Sequence, residues 1–307
     1  MRFGSLLPKS VKTCNTQLYP QAFQAKQQPG PLVGPGYICS PKEMVRNVKK
    51  RNKRGLTLLV LLVLVAGSGC LLWRWLDRAQ GIRDYEKAIQ IARLDQTAAP
   101  ALTPGGRFQT DRSSPPAGLA GLGLEALREV NEEVIAWIYI PDTEVSYPVL
   151  QAADNEYYLN HTWTRERSAM GAIFLECTSS PDFSDFNTII YGHRMNNDKM
   201  FGRLHSYRDE DFFQEHPDVY VVDSRAVRRY AVFAAHEVGV REIVYRLDLE
   251  EQELEQAFID FCLERSQLDT GVIPGPEEQM LTLSTCTGQG HATRWVVQGV
   301  LRETWAR

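Results

Sequence analysis

A run of 19 residues without a charged side chain, Gly55 to Trp73, constrains the fold of this chain most. At about 1.5 Å per residue, a helix of roughly this length covers about 28 Å, close to the hydrocarbon thickness of a bilayer. Trp73 and Trp75 stand at its C-terminal edge, where aromatic rings favour the membrane interface. A buried core helix would usually keep a polar face over such a length. The run therefore predicts a transmembrane helix over residues 55–76.

Charge on the two sides of this run predicts its orientation. The first 54 residues hold eleven Lys and Arg and a single acid, Glu43, whereas the rest of the chain has 23 basic and 37 acidic residues. The positive-inside rule then puts the N-terminus in the cytoplasm and the residues after the run outside the cell. An acidic outer region also argues against nucleic-acid binding. A cleaved signal peptide is the alternative, which the long apolar run and the lack of a small-residue cleavage site disfavour.

Composition divides the chain into four parts. Residues 1–54 are basic and rich in Gln, Pro and Gly, and we expect them to be disordered, with Met44 as an alternative start. Residues 55–76 are the predicted span, and residues 77–123 are predicted to form a helix and then a Pro- and Gly-rich linker. The apolar residues of that helix recur at helical spacing: Ile82, Tyr85, Ile89 and Ala92. Residues 124–307 make up the folded outer domain.

Within the outer domain, short apolar runs alternate with turn signals such as Pro141-Asp142-Thr143. A short helix around 124–132 comes first, and a longer helix, Asp248 to Ser266 with Asp248 as its N-cap, comes late. The predicted strands are 134–140, 145–150, 172–176, 188–191, 219–223, 229–238, 280–286 and 295–301. Such a series predicts a mainly β fold with flanking helices, built as a closed β-barrel.

Three cysteines follow the span, Cys177, Cys262 and Cys286, so at least one of these thiols is unpaired in a monomer. The sequence has no CxxC pair and no Cys/His cluster at zinc spacing. A lone thiol in an exported domain indicates reactivity. Cys177 is interpreted as a structural residue, with a redox-partner role as the alternative.

The segment from Met280 to the strand that opens at Arg294 is typical of a strand–loop–strand hairpin. Ser284 and Cys286 share one face of the first strand, and Thr285 lies on the other face. Antiparallel pairing would bring Cys286 and Arg294 together across the mouth of the loop. A guanidinium there favours the thiolate and can hydrogen-bond the oxyanion of a tetrahedral intermediate. A strand-end cysteine beside an unrelated surface arginine is the alternative.

His193 is the candidate acid/base because it follows the predicted strand that ends in Tyr191-Gly192. Strand ends are where rigid scaffolds present catalytic groups, although a single histidine is more often structural. His291 follows Cys286 by only five residues, but it lies on the same loop and lacks a scaffold to hold it. The other rivals are His161, His205, His216 and His236.

The segments TLSTCTGQGHATRWVVQGVL and PDFSDFNTIIYGHRMNNDKMFGRL resemble the two signature regions of class B sortases. The resemblance covers roughly residues 124–301, and the long late helix favours class B over the other sortase classes. It implies a sortase-type closed eight-stranded β-barrel and a cysteine transpeptidase, with Cys286 as nucleophile, His193 as acid/base and Arg294 as oxyanion stabiliser. Some class B enzymes carry an acidic residue in the loop after the nucleophile, but loop 287–293 has none, so no fourth catalytic residue is assigned.

The same resemblance implies the reaction and its partners. The enzyme would cleave an NPxT- or LPxT-like sorting motif after its Thr in secreted proteins, and pass the acyl group to a peptidoglycan precursor or pilin amine. Ser284, Thr285 and Tyr191 are assigned to substrate binding, with ordinary strand residues as the alternative. The reaction needs no metal or organic cofactor.

The location that follows is a single-pass cell-membrane protein of a Gram-positive-type envelope, with the catalytic domain outside. Two other functions stay open. One is a membrane-anchored cysteine peptidase that only hydrolyses its substrate. The other is a surface binding module without enzymatic activity.

Overall fold

The structure is a computed structural model that describes residues 53–92, 114–116, 118–195, 197–249, 251–286 and 292–307. Several predictions concern residues outside these ranges. They are the disorder of the basic N-terminal segment before residue 53, the alternative start at Met44, much of the linker, and His291.

Helix α1 runs from Lys53 to Ile91 and contains both the predicted span and the predicted amphipathic helix. Its residues up to Leu76 belong to one compact unit, and those from Asp77 onward belong to a second. In the first unit, apolar side chains such as Leu62 and Val65 are exposed. Within the described ranges, none of the helices combines the length and the apolar character that a membrane crossing requires.

In the second unit, the C-terminal part of α1 packs on the core as its apolar spacing predicts. Tyr85, Ala88 and Ala92 are buried. Leu119 and Leu122 are buried too, so the end of the predicted linker belongs to the folded domain. Helix α2, Leu124–Arg128, follows at once and buries its two leucines.

Eight strands form a closed barrel in the order β1-β2-β3-β4-β7-β8-β6-β5, which confirms the predicted barrel. The pairs β2–β3 and β4–β7 are parallel and the others are antiparallel. The strands are β1 Val134–Tyr139, β2 Ser146–Leu150, β3 Ile173–Leu175, β4 Asn187–Tyr191, β5 Asp218–Val222, β6 Ala226–Gly239, β7 Met280–Cys286 and β8 Thr293–Ala306.

The two helices between later strands differ from the prediction. Helix α3, Glu210–Glu215, was not predicted, and Asp209 caps it by accepting from the Asp211 amide. Helix α4 spans Gln252–Arg265 and has Glu251 at its N-cap without a side-chain hydrogen bond. The prediction of Asp248 as the N-cap was wrong, because the guanidinium of Arg246 binds that carboxylate at 2.8–2.9 Å.

Two apolar clusters hold these elements together. One fills the barrel and includes Trp137, Leu281 and Trp295. The other lies between α4 and strands β6 to β8, with Phe258 and Val296 as members. Trp295 and Val296 are consecutive yet belong to different clusters, because alternate residues of a strand face opposite sides of a sheet.

Candidate active site

Strands β4, β7 and β8 lie side by side, and their ends meet at one edge of the barrel. In the parallel pair, Tyr191 lies opposite Ser284, and the amide of Gly192 donates to the Ser284 carbonyl at 3.1 Å. Two residues further along each of these segments come His193 and Cys286. In the antiparallel pair, Cys286 lies opposite Arg294. The backbone therefore brings the three predicted residues to the same edge of the barrel, although 92 residues lie between His193 and Cys286 along the chain.

The imidazole of His193 is held from one side. Its Nε2 lies 2.5 Å from the carbonyl oxygen of Leu159. Since a carbonyl oxygen only accepts hydrogen bonds, Nε2 must carry the proton in this contact. In the neutral ring, Nδ1 is then the nitrogen that can take up a proton. The residue is half-buried.

Gly171 lies directly against this ring. It has φ +60°, and a Cβ added there would come within 2.8 Å of His193 Cδ2 and 2.6 Å of the Tyr158 carbonyl oxygen. Glycine adopts such a positive φ without steric cost and leaves room for the ring. No sequence pattern assigned a role to Gly171, because the contact joins residues that are distant in the chain.

Arg294 is the second residue of β8 and is half-buried, and its Nη1 donates to the carbonyl of Thr293 at 2.9 Å. Burial and the charge of Glu176 raise the pKa of the Tyr191 phenol well above its usual value, and the charge of Arg294 lowers it. The guanidinium of Arg294 is therefore close enough to act electrostatically on Tyr191, the last residue of β4, at the same edge as His193.

Glu176 is a buried carboxylate that the sequence patterns did not reveal. Its oxygens accept from the Tyr191 hydroxyl at 2.8 Å and from the Asn155 amide at 2.6 Å. A carboxylate that accepts two bonds fixes both donors more firmly than a neutral acceptor would. Glu176 therefore orients Tyr191, one of the predicted substrate-binding residues.

The other two predicted substrate-binding residues separate in the structure. Ser284 is next to Tyr191 in register, and its hydroxyl lies 2.9 Å from the Tyr245 hydroxyl. Thr285 shares the face of Leu281 and Leu283, which belong to the cluster inside the barrel, and it is as buried as Ser284, with 2% of the surface exposed in each. Alternation along the strand thus turns Thr285 toward the barrel interior, and it does not join Ser284 on a common surface.

The rival histidines in the described part of the chain have partners of their own. His161 bonds the Tyr157 carbonyl at 2.8 Å and stacks on its ring, and His205 stacks on Trp295. Burial lowers the pKa values of His216 and His236, which contact the Pro141 carbonyl and the Gln298 side chain respectively. None of these four follows the end of β4 as His193 does.

The remaining described cysteines differ in their chemistry. Burial strongly raises the pKa of the thiol of Cys262, a buried residue of α4, so this thiol is a poor nucleophile. Cys70 is free and exposed, whereas Cys177 is disulfide-bonded. The structural role assigned to Cys177 stays a prediction. No group of three or more His, Cys, Asp or Glu that could hold a metal ion occurs among the described residues.

Comparisons with known proteins identify the family of this chain. The family model of the sortase domain matches residues 138–302, more than half of the chain. Sortase B of Listeria monocytogenes is 32% identical over 180 residues, which cover 58% of this chain and 73% of that protein. Sortase B of Staphylococcus aureus is 30% identical over 163 residues, which cover 53% and 67%.

Among solved structures, a sortase B complexed with triglycine superposes with a TM-score of 0.62 at 25% identity, covering 74% of this chain and 99% of that one. The sequence matches, the closed barrel and the meeting of the β4, β7 and β8 ends thus point to one family. The chain belongs to the sortase family, and it is a cysteine transpeptidase of class B.

Proposed function

We propose that this sortase cleaves a C-terminal sorting motif after its Thr in secreted proteins and transfers the acyl group to a cell-wall or pilin amine. One observation carries the proposal: β4, β7 and β8 are neighbours in the barrel, and the ends that carry or precede His193, Cys286 and Arg294 lie at one barrel edge. Acyl transfer needs a nucleophile, a proton carrier and an oxyanion donor within reach of one carbonyl group.

In the first half-reaction, the Cys286 thiolate attacks the carbonyl carbon of the motif's Thr, and a carbon–sulfur bond forms. The Arg294 guanidinium hydrogen-bonds the oxyanion that develops on the carbonyl oxygen. His193 gives its Nδ1 proton to the leaving amine as the carbon–nitrogen bond breaks. The product of this step is a thioester at Cys286.

In the second half-reaction, an acceptor amine attacks the thioester. His193 Nδ1 takes a proton from the amine, an amide bond forms, and the carbon–sulfur bond breaks to return the thiolate. The Leu159 carbonyl supports this exchange, since its bond to Nε2 leaves Nδ1 as the nitrogen that gains and loses the proton.

The proposed partners are secreted proteins with an NPxT- or LPxT-like motif and a peptidoglycan precursor or pilin amine. A related sortase B has been solved in complex with triglycine, a peptide with a free amino group. This complex supports an amine as the acceptor here as well. Tyr191 and Ser284, which are paired in register at the same edge, are the proposed substrate-binding residues.

We also propose that residues 55–76 anchor the protein in the cell membrane, with the N-terminus in the cytoplasm and the catalytic domain outside. The support is the charge-free run and the excess of Lys and Arg before it. Protease added to intact cells should remove the domain after residue 76 and leave the N-terminal segment protected. Complete protection of the catalytic domain would contradict this orientation.

The function is tested with NPxT- and LPxT-type peptides, with and without triglycine, followed by mass spectrometry of the products. We expect a triglycine adduct at the Thr carbonyl from the wild type, none from Cys286→Ala, and normal product from Cys70→Ser, which removes a free, exposed cysteine of α1. A rate that does not depend on triglycine, with only hydrolysed product, would indicate a cysteine peptidase instead.

A further inference from the structure

Helix α1 contacts the segment that supports the imidazole of His193. We infer that Tyr85 of this helix is a positioning residue, which holds His193 in place through Gly171. The inference rests on the proposed function, in which His193 is the acid/base. Both residues belong to the compact unit that starts at Asp77.

The first contact joins the helix to Gly171. The hydroxyl of Tyr85 donates to the Gly171 carbonyl at 2.7 Å, and only 4% of the Tyr85 surface is exposed. The ring of Tyr85 packs edge-on against Tyr147 with centroids 5.2 Å apart, which fixes the direction of the hydroxyl. Burial of the pair means that water cannot replace the bond if the hydroxyl is removed.

A second contact ties the same turn of α1 to the domain. The indole Nε1 of Trp163 donates to the Asp84 carbonyl at 2.8 Å, and the whole Trp163 side chain is buried. Tyr85 is therefore held on a helix that is itself fixed to the segment between Leu159 and Gly171.

The second step runs from Gly171 to the histidine ring. An added Cβ on Gly171 would lie 2.8 Å from His193 Cδ2 and 2.9 Å from the Leu159 carbonyl oxygen. That carbonyl is the acceptor for His193 Nε2. The Ala172 amide also donates to the Tyr158 carbonyl at 2.8 Å, which joins the two segments beneath the ring. Gly171 thus touches both the ring and the group that orients it.

Loss of the hydrogen bond between Tyr85 and Gly171 should lower kcat and leave substrate binding nearly unchanged. If Gly171 loses its bond to Tyr85, the buried carbonyl must move to find a new donor, and the surface under the imidazole moves with it. Small misplacements of a catalytic group reduce the rate steeply, because the reacting atoms must be aligned. Tyr191 and Ser284 lie on the paired strands β4 and β7, so substrate binding should change little.

The test compares Tyr85→Phe with Tyr207→Phe in the full chain. Tyr207 is also buried, and its hydroxyl also donates to a backbone carbonyl at 2.7 Å, that of His216. Each substitution keeps the ring and removes a hydroxyl that donates to a backbone carbonyl, so we expect both variants to fold. For Tyr85→Phe we expect kcat to fall about 5- to 20-fold with KM within about twofold, whereas Tyr207→Phe should keep both constants within about twofold.

A spectroscopic readout complements the kinetics. Nitrogen-15 spectra of the imidazoles should show His193 protonated at Nε2 in the neutral wild type and in Tyr207→Phe, and a mixture of tautomers in Tyr85→Phe. Equal losses of kcat in both variants, or an unchanged His193 spectrum in Tyr85→Phe, would overturn the inference.

His193→Ala separates the positioning role from the proposed function. If His193→Ala is inactive and Tyr85→Phe turns over like the wild type, the positioning role fails while the proposed function stands. If His193→Ala keeps its activity, the proposed function itself fails.

Discussion

Two arginines at opposite ends of the β6–β8 ladder differ in their surroundings. Arg229 is enclosed, with 6% of its side chain exposed, and it pairs with Asp218 at 2.6 Å and Glu303 at 2.9 Å. Burial alone would lower its pKa, but these two carboxylates outweigh that effect and raise it. Arg294 is only half-buried at the barrel edge, opposite Cys286. Arg229, enclosed by carboxylates, therefore stabilises the fold, whereas Arg294, at a strand end opposite Cys286, can interact with a substrate.

The largest expected effect is on stability at the enclosed end. Arg229→Ala leaves the buried Asp218 carboxylate without its cation, and breaking such a pair costs about 3–5 kcal/mol. Urea unfolding should show this loss, while kcat per folded molecule should stay within about twofold of the wild type.

Arg302, on the neighbouring strand β8, is the matched control, because its pair with Glu278 is more exposed. Arg302→Ala should cost less than about 1 kcal/mol. Equal losses for Arg229→Ala and Arg302→Ala would break the distinction between enclosed and open cations.

The next effect is on catalysis at the open end. Arg294→Ala should reduce kcat at least about 100-fold, because the oxyanion loses a charged donor. Its free energy of unfolding should change by less than about 1 kcal/mol, since the side chain is only half-buried. Near-normal turnover of Arg294→Ala in the peptide assay would remove this residue from its proposed role.

A smaller effect is expected at the buried carboxylate beside the site. Glu176→Gln removes the charge that binds the Tyr191 hydroxyl and the Asn155 amide, and we expect kcat/KM to fall about 10-fold, mainly through KM. Steady-state kinetics with the peptide substrate checks this. Glu166→Gln, which changes an exposed carboxylate, is the control, and an equal effect there would show that Glu176 does not orient the groove.

The smallest effect concerns pH and comes from His236, a buried histidine of β6. Burial lowers the pKa of His236 below its ordinary value of 6.5 in the fold, so the unfolded chain binds the proton more readily. Stability from this residue is therefore complete above about pH 6.5 and decreases as the pH falls toward the folded-state pKa. Thermal unfolding of His236→Gln should show a weaker decrease between about pH 7 and pH 5. An identical decrease in both proteins would contradict the assignment.

Sequence patterns predicted the barrel well where the information was local. Met280–Cys286 was predicted with the observed bounds, and the antiparallel register of Cys286 with Arg294 followed from the hairpin. Strand β8 extends to Ala306, further than the predicted end at 301. The prediction missed its last residues because they alternate between half-buried and exposed and are not uniformly apolar. Alternation of that kind is itself a strand signal.

Contacts between distant segments could not be predicted from the sequence. The parallel pairing of β4 with β7 ends at Tyr191 and Ser284, two residues before His193 and Cys286, and no local pattern specifies a pairing across such a separation. Glu176 and Gly171 act through Tyr191 and His193, and each looks like an ordinary loop or strand-end residue in the sequence. Their roles depend on tertiary packing, which only the structure provides.

The central claim is that Cys286 carries the acyl group, and the most direct measurement is the mass of the intact chain after brief reaction with an excess of sorting-motif peptide. We predict an added acyl fragment that ends at the motif's Thr, maps to the peptide containing Cys286, and disappears when triglycine is added. A fragment on another residue, or turnover by Cys286→Ala, would contradict the account.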